Sequence, residues 1–141
     1  MSTEGNKTTV RRFMTEVIEQ GNMSFINQIC APNYVNRLTG GGIESFKQAS
    51  GLMRTGVPDW HFNIENLVAE GDDVVARFTV TGTVTGSVMG SKPSGKAISV
   101  HGLTFYRLAN GKIVEDDPIL GQDFMQLIGV PASALSQMGQ K

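Results

Sequence analysis

A change of hydrophobic period near residue 57 constrains this chain more than any other feature. Before it, apolar residues recur at the three-and-four spacing of one helical face. Val10, Phe13, Met14, Val17 and Ile18 do so between Thr8 and Gln20, and Ile43, Phe46, Ala49, Leu52 and Met53 do so after the glycine run "TGGG". Between them, "NMSFINQICAP" reads as a short helix with Phe25, Ile26 and Ile29 inward and Pro32 at its end, followed by a brief extended piece in "NYVNR". Asn6 or Thr8 is placed to cap the first helix, and Gly21 to stop it. Gly51 weakens the third by roughly 1 kcal/mol relative to Ala, and leaves room for a neighbouring element to approach.

Beyond the change the spacing is two, as on a half-buried strand. In "DWHFNIENLV", Trp60, Phe62 and Ile64 oppose His61, Asn63 and Glu65. Val74, Ala76, Phe78 and Val80 oppose Arg77, Thr79, Thr81 and Thr83. Ile98, Val100 and Tyr106 oppose Ser99, His101 and Phe105. Turns are expected at Glu70–Asp73 and at Asn110-Gly111, where Asn-Gly readily supplies positive φ. "KIVEDDPI" is then a fourth strand and "GQDFMQLIGV" a short closing helix. Helices followed by an antiparallel meander specify an α+β domain with the helices packed on one side of the sheet. One domain over residues 1–141 is expected, with its core at about 6–130 between polar tails.

The balance of charges excludes several classes of partner. Formal net charge is -1, so no strong field draws nucleic acid or an anionic membrane. No apolar run is long enough to span a bilayer, and the polar "MSTEGNKTTV" lacks the apolar core of a signal peptide; a cytoplasmic location is expected. Cys30 is the only cysteine, which excludes an intramolecular disulfide and a cysteine-based zinc cluster. His61 and His101 are not spaced as a ligand pair, so no metal is expected.

One short stretch imitates a nucleotide site. In "MGSKPSGKA", Gly90, Gly95 and Lys96 reproduce the spacing of a P-loop. Ala97 stands where that motif needs a magnesium-binding hydroxyl, and the residues after it alternate as a strand. A P-loop works because its amides converge at a helix N-terminus. The stretch is therefore a loop between two strands.

Read that way, "ARFTVTGTVTGSVMGSKPSGKAISVHGLTFYRLANGKIVE" is similar to the central sheet of the SnoaL-like polyketide cyclases, within the superfamily that includes ketosteroid isomerase. "VRRFMTEVIEQGNMSFINQICAPNYV" resembles that family's first two helices, and "PDWHFNIENLVAEGDDVVARF" its first long strand pair. The resemblance covers about 120 residues. It implies a cone-shaped α+β barrel, with three N-terminal helices against a strongly curved antiparallel sheet. It implies a small hydrophobic ligand, polyketide-like and bearing a carbonyl, in an internal cavity. It also implies acid–base chemistry of the cyclase or isomerase kind with no cofactor. The alternative is a domain of the same fold that binds small molecules or assembles proteins without catalysis. Two histidines of the cyclase pattern fall at Val84 and Thr104 here. The family's aspartate on the last strand aligns with Asp117 if a gap is placed just before it, and with Pro118 otherwise.

Adjacent strand residues point to opposite faces, so only one of Asp116 and Asp117 can enter the cavity. Asp117 shares parity with Ile113, Glu115 and Ile119, and is the expected catalytic acid/base. His101, as the titrating group on the third strand, is the second catalytic candidate. Phe13, Met14, Val17, Tyr34, Phe46, Met53, Trp60, Met89, Thr104 and Tyr106 are expected to line the pocket, the last three from the loop and the third strand. Leu103 and Phe105 fall on the strand face opposite Tyr106, and an apolar outer face implies a homodimer.

Overall fold

A computed structural model gives the structure of residues 2–87 and 93–119. The closing helix expected in "GQDFMQLIGV" and the expected pocket residue Met89 lie outside the described residues. Helix α1 spans Thr3–Arg12, and the chain continues without a break as a π-helix over Phe13–Glu19. The Ser2 hydroxyl caps α1 by accepting from the Gly5 amide at 2.9 Å. The helix thus begins before the apolar pattern does. Its first turns instead lie over the turn at Gly71, to whose carbonyl the buried Asn6 amide donates at 3.4 Å.

The π-helix shows in the Gln20 amide, which reaches the Thr15 carbonyl five residues back at 3.1 Å. It ends at Gly21, whose φ of 72° suits glycine. A 3₁₀ turn over Met23–Phe25 leads into α2, Ile26–Ile29. Pro32 does not end that helix, because strand β1 already runs over Cys30–Asn36. Proline is tolerated there because β1 is an edge strand. Helix α3 follows over Ile43–Gly56.

The remaining strands are β2 (His61–Glu70), β3 (Asp73–Thr83), β4 (Ala97–Ala109) and β5 (Lys112–Ile119). Their order in the sheet is β1-β5-β4-β3-β2. The meander is antiparallel as expected, but β1 joins β5 in parallel, so the five-stranded sheet is mixed. It is curved and not closed, with β1 and β2 as its two edges.

Alternation places Val74, Ala76, Phe78 and Val80 in the core, and Asn110 and Gly111 take the positive φ that the hairpin needs. Within the antiparallel meander two bulges interrupt the alternation, one between Ile64 and Asn66 and one between Arg107 and Leu108 opposite Val114.

Phe13 sits where the helical layer meets the sheet. Its ring lies 5.1 Å from Phe46, 6.3 Å from Tyr34 and 5.9 Å edge-on to Tyr106. Burying a side chain of that size contributes roughly 1.5–3 kcal/mol. Among the described residues no helix is long and apolar enough to cross a membrane.

Close approach of the chain to itself occurs at Gly82 and Gly86 and not at Gly51. A Cβ at Gly86 would stand 2.0 Å from the Thr55 carbonyl oxygen, and one at Gly82 2.3 Å from Val57. At Gly51 a Cβ would meet nothing within 4 Å, so that glycine makes no packing contact that requires it. Gly51→Ala should therefore stabilise the protein by about 0.5–1 kcal/mol in urea unfolding. Gly86→Ala should destabilise it by about 1–3 kcal/mol or more. The reverse order would show that α3 is packed differently.

Candidate functional site

The concave face of the sheet and the helical layer leave a pocket of about 110 Å³ between them. A dry cavity of about 150 Å³ admits a benzene ring, so a space of this size takes one ring and not a whole polycycle. Met14 and Ile18 of the π-helix, Phe46 and Met53 of α3, and Trp60 and Phe78 of the sheet side form most of its apolar wall. Asn36, Thr39, Ser50, Thr104 and Asp116 are the buried polar residues among its lining. An apolar hollow with a few convergent polar groups is the ordinary form of a small-molecule site.

Of the residues expected in the pocket, Met14, Phe46, Met53, Trp60, Thr104 and Tyr106 line it. Phe13, Val17 and Tyr34 are buried in the core behind it. Val84, at one of the two histidine positions, is buried in the same core.

Asp116, and not Asp117, faces the pocket. Counting by twos from Ile113 selects Asp117, but the bulge at Val114 advances the parity by one. Asp116 then pairs with inward Tyr106 and Pro118 with inward Thr104, while Asp117 pairs with Phe105 on the outer face.

The Asp116 carboxylate is 3% exposed, and it is the one buried acidic side chain among the described residues. Tyr34 donates its hydroxyl to Oδ2 at 2.9 Å, and the Asn36 amide donates to the same oxygen at 3.4 Å. Asn36 also donates to the Tyr34 oxygen at 3.1 Å. The Asn36 carbonyl accepts from the Leu38 and Thr39 amides at 2.9 and 3.1 Å, which turns its NH₂ toward Asp116.

Burial raises the Asp116 pKa from its ordinary value to about 7; the Tyr34 hydrogen bond opposes the rise and the Asp117 charge adds to it. Burial, with the Asp116 charge adding to it, likewise pushes the phenols of Tyr34 and Tyr106 well above their usual value and keeps the Cys30 thiol protonated. Tyr34 is therefore a hydrogen-bond donor at any physiological pH. The site holds one group that can exchange a proton near neutrality, and that group is Asp116.

His101 lies on the outer face. Its side chain is 79% exposed and its Nδ1 is 2.9 Å from the Thr79 hydroxyl. His61 is paired with Glu19 on the surface at 2.9 Å. Lys96 and Gly95 lead directly into strand β4, with no helix after them. Among the described residues no three His, Cys, Asp or Glu side chains gather as a metal site. Sequence reasoning missed Asn36 and Ser50, whose polarity gives no sign of an inward position. The one available signal for Asn36 was the "NYVN" alternation, which puts it on the same strand face as Tyr34.

A model of the SnoaL-like polyketide cyclases matches residues 8–120. No curated protein matches the sequence. Among solved structures, one from Jannaschia sp. CCS1, provisionally named a SnoaL-like polyketide cyclase, is 25% identical. It superposes with a TM-score of 0.79, over 92% of this chain and 95% of that one. A provisionally named polyketide cyclase from Bacillus cereus ATCC 10987 is 27% identical, with a TM-score of 0.76 over 92% and 86% of the two chains. AclR from Streptomyces galilaeus, provisionally a hydroxylase, shares the fold at 23% identity and a TM-score of 0.77, over 99% and 92%.

Proposed function

The chain belongs to the SnoaL-like polyketide cyclase family, and we propose that it binds a small hydrophobic carbonyl compound of polyketide-like character and acts on it by cofactor-independent proton transfer. The observation that carries this reading is the buried Asp116 carboxyl, whose pKa of about 7 suits a general base at neutral pH. Both of its hydrogen bonds fall on Oδ2, so Oδ1 is the oxygen that takes a proton from carbon alpha to the substrate carbonyl. Thr104 and Tyr106, which line the pocket from β4 where it pairs with β5 at Pro118 and Asp116, offer the hydroxyls that hold the carbonyl oxygen. Asp117 acts from the outer face through its charge alone.

A non-catalytic binding domain is the second reading, favoured by Val84 and Thr104 at the two positions where the cyclase pattern has histidine. Asp116→Asn separates the two. It keeps the shape and removes the base, so turnover should fall roughly 10²–10⁴-fold with binding little changed. Turnover by the unaltered protein should rise with pH through a midpoint near 7, as Asp116 loses its proton. Undiminished turnover in the variant would leave only the binding reading.

The same reading includes a homodimer across the outer sheet face. Val68, Val75 and Phe105 lie side by side in one row of that face, and Leu103 and Ile119 in the next. Val68 and Ile119 are 64% and 62% exposed, and a second copy would cover them. Light scattering at micromolar concentration should give twice the chain mass, and Leu103→Glu should return the monomer. A monomeric unaltered protein would contradict this.

A further inference from the structure

Among the described residues, Ser50 is the one in the lining whose polar group has no hydrogen-bond partner. It follows Phe46 by one helical turn, is 5% exposed, lines the pocket, and its Oγ has no hydrogen-bond partner among the described residues. A hydroxyl on a helix has an easy alternative, because it can bond the carbonyl four residues back. Thr8, Thr9, Thr15 and Thr55 all do this, at 2.8 to 3.1 Å. Ser50 does not. A buried polar group left without a partner is unfavourable, and such groups in folded proteins call for an explanation. Its place in the lining supplies one.

We infer that Ser50 Oγ is a second recognition point, which hydrogen-bonds an oxygen of the ligand other than the carbonyl oxygen held by Thr104 and Tyr106. This rests on the reading of the pocket as a small-molecule site and narrows it. Ser50 reaches the ligand from α3, whereas Asp116 reaches it from β5. The wall around Ser50 is apolar, with Phe46, Ala49 and Met53 on the same helix. A ligand lacking a second oxygen leaves the Ser50 hydroxyl unpaired in that wall, and such ligands are selected against. A hydroxyl both donates and accepts, so the second oxygen is either a carbonyl or a hydroxyl. The ligand class is therefore a ring compound bearing two oxygen functions.

The test compares benzene, phenol and resorcinol as single-ring probes of one shape, titrated against the unaltered protein and Ser50→Ala. The dihydroxy probe should bind the unaltered protein most tightly. In Ser50→Ala its Kd should rise about tenfold, the size of one neutral hydrogen bond, while that of benzene stays within about twofold. The melting temperature of unliganded Ser50→Ala should be unchanged or higher, because an unpaired hydroxyl has been removed. An equal change for all three probes, no binding of any probe, or a melting temperature lowered by several degrees would overturn the inference. These readings concern binding only. Loss of the acid–base reading would appear instead as undiminished turnover in Asp116→Asn, with the probe selectivity of Ser50 intact.

Discussion

The parallel pairing of β1 with β5 makes Asn36 and Asp116 Cα partners and sets the Tyr34 hydroxyl 2.9 Å from the same carboxylate. A carboxylate removed from water needs compensation, and the strongest available would be a cation. An arginine beside it would lower its pKa by about 1–3 units. The arginines of this sheet region are used elsewhere: Arg37 pairs with Glu115 and Arg107 with Asp73, both on the surface. Among the described residues, the Asp116 carboxylate receives only a phenol and an amide. Desolvation therefore wins over hydrogen bonding, and the group titrates near neutrality instead of staying ionised.

The helical layer depends on a second set of contacts that keeps the pocket walls in place. Arg54 of α3 donates to the carbonyls of Ile18 and Glu19 at the end of the π-helix, and its guanidinium stacks on Trp60 at 5.5 Å. Glu19 in turn accepts from the Phe62 amide through its carboxylate and from the Trp60 indole through its carbonyl. Gly21 leaves the space for this arginine, since a Cβ there would stand 2.6 Å from the guanidinium carbon. The π-helix, α3 and the start of β2 are thereby joined at one point. Met14, Ile18, Met53 and Trp60 are held around the same hollow as a result.

Period alone made most of the fold legible, because burial of one face leaves a repeat of two in a strand and of about 3.6 in a helix. The core faces of β3 and β4 and both hairpin turns were readable for that reason. What escaped notice has physical causes of its own. The early start of α1 rests on a serine cap, with polar first turns that carry no apolar pattern. β1 is short, holds a proline and pairs with a strand distant in sequence, so local spacing could not reveal it. The inward position of Asp116 is not legible from spacing, because one bulged residue at Val114 reverses every inward assignment after it. Ser50 and Asn36 are polar residues on inward faces, where a binary pattern expects apolar ones.

The central claim is that the Asp116 carboxyl is buried and carries its charge only at a cost. Its folded-state pKa of about 7 lies above the ordinary value near 3.8. The favourable contribution is then complete below about pH 4 and is lost as pH rises through 7. The loss amounts to about 4 kcal/mol at 1.36 kcal/mol per pKa unit. The direct measurement is urea unfolding of the unaltered protein and of Asp116→Asn from pH 4 to pH 8. The variant should gain on the unaltered protein between about pH 4 and pH 7, by several kcal/mol in total, and the difference should level off above that. A difference that does not change with pH would mean that Asp116 is already ionised and solvated, and would contradict the account.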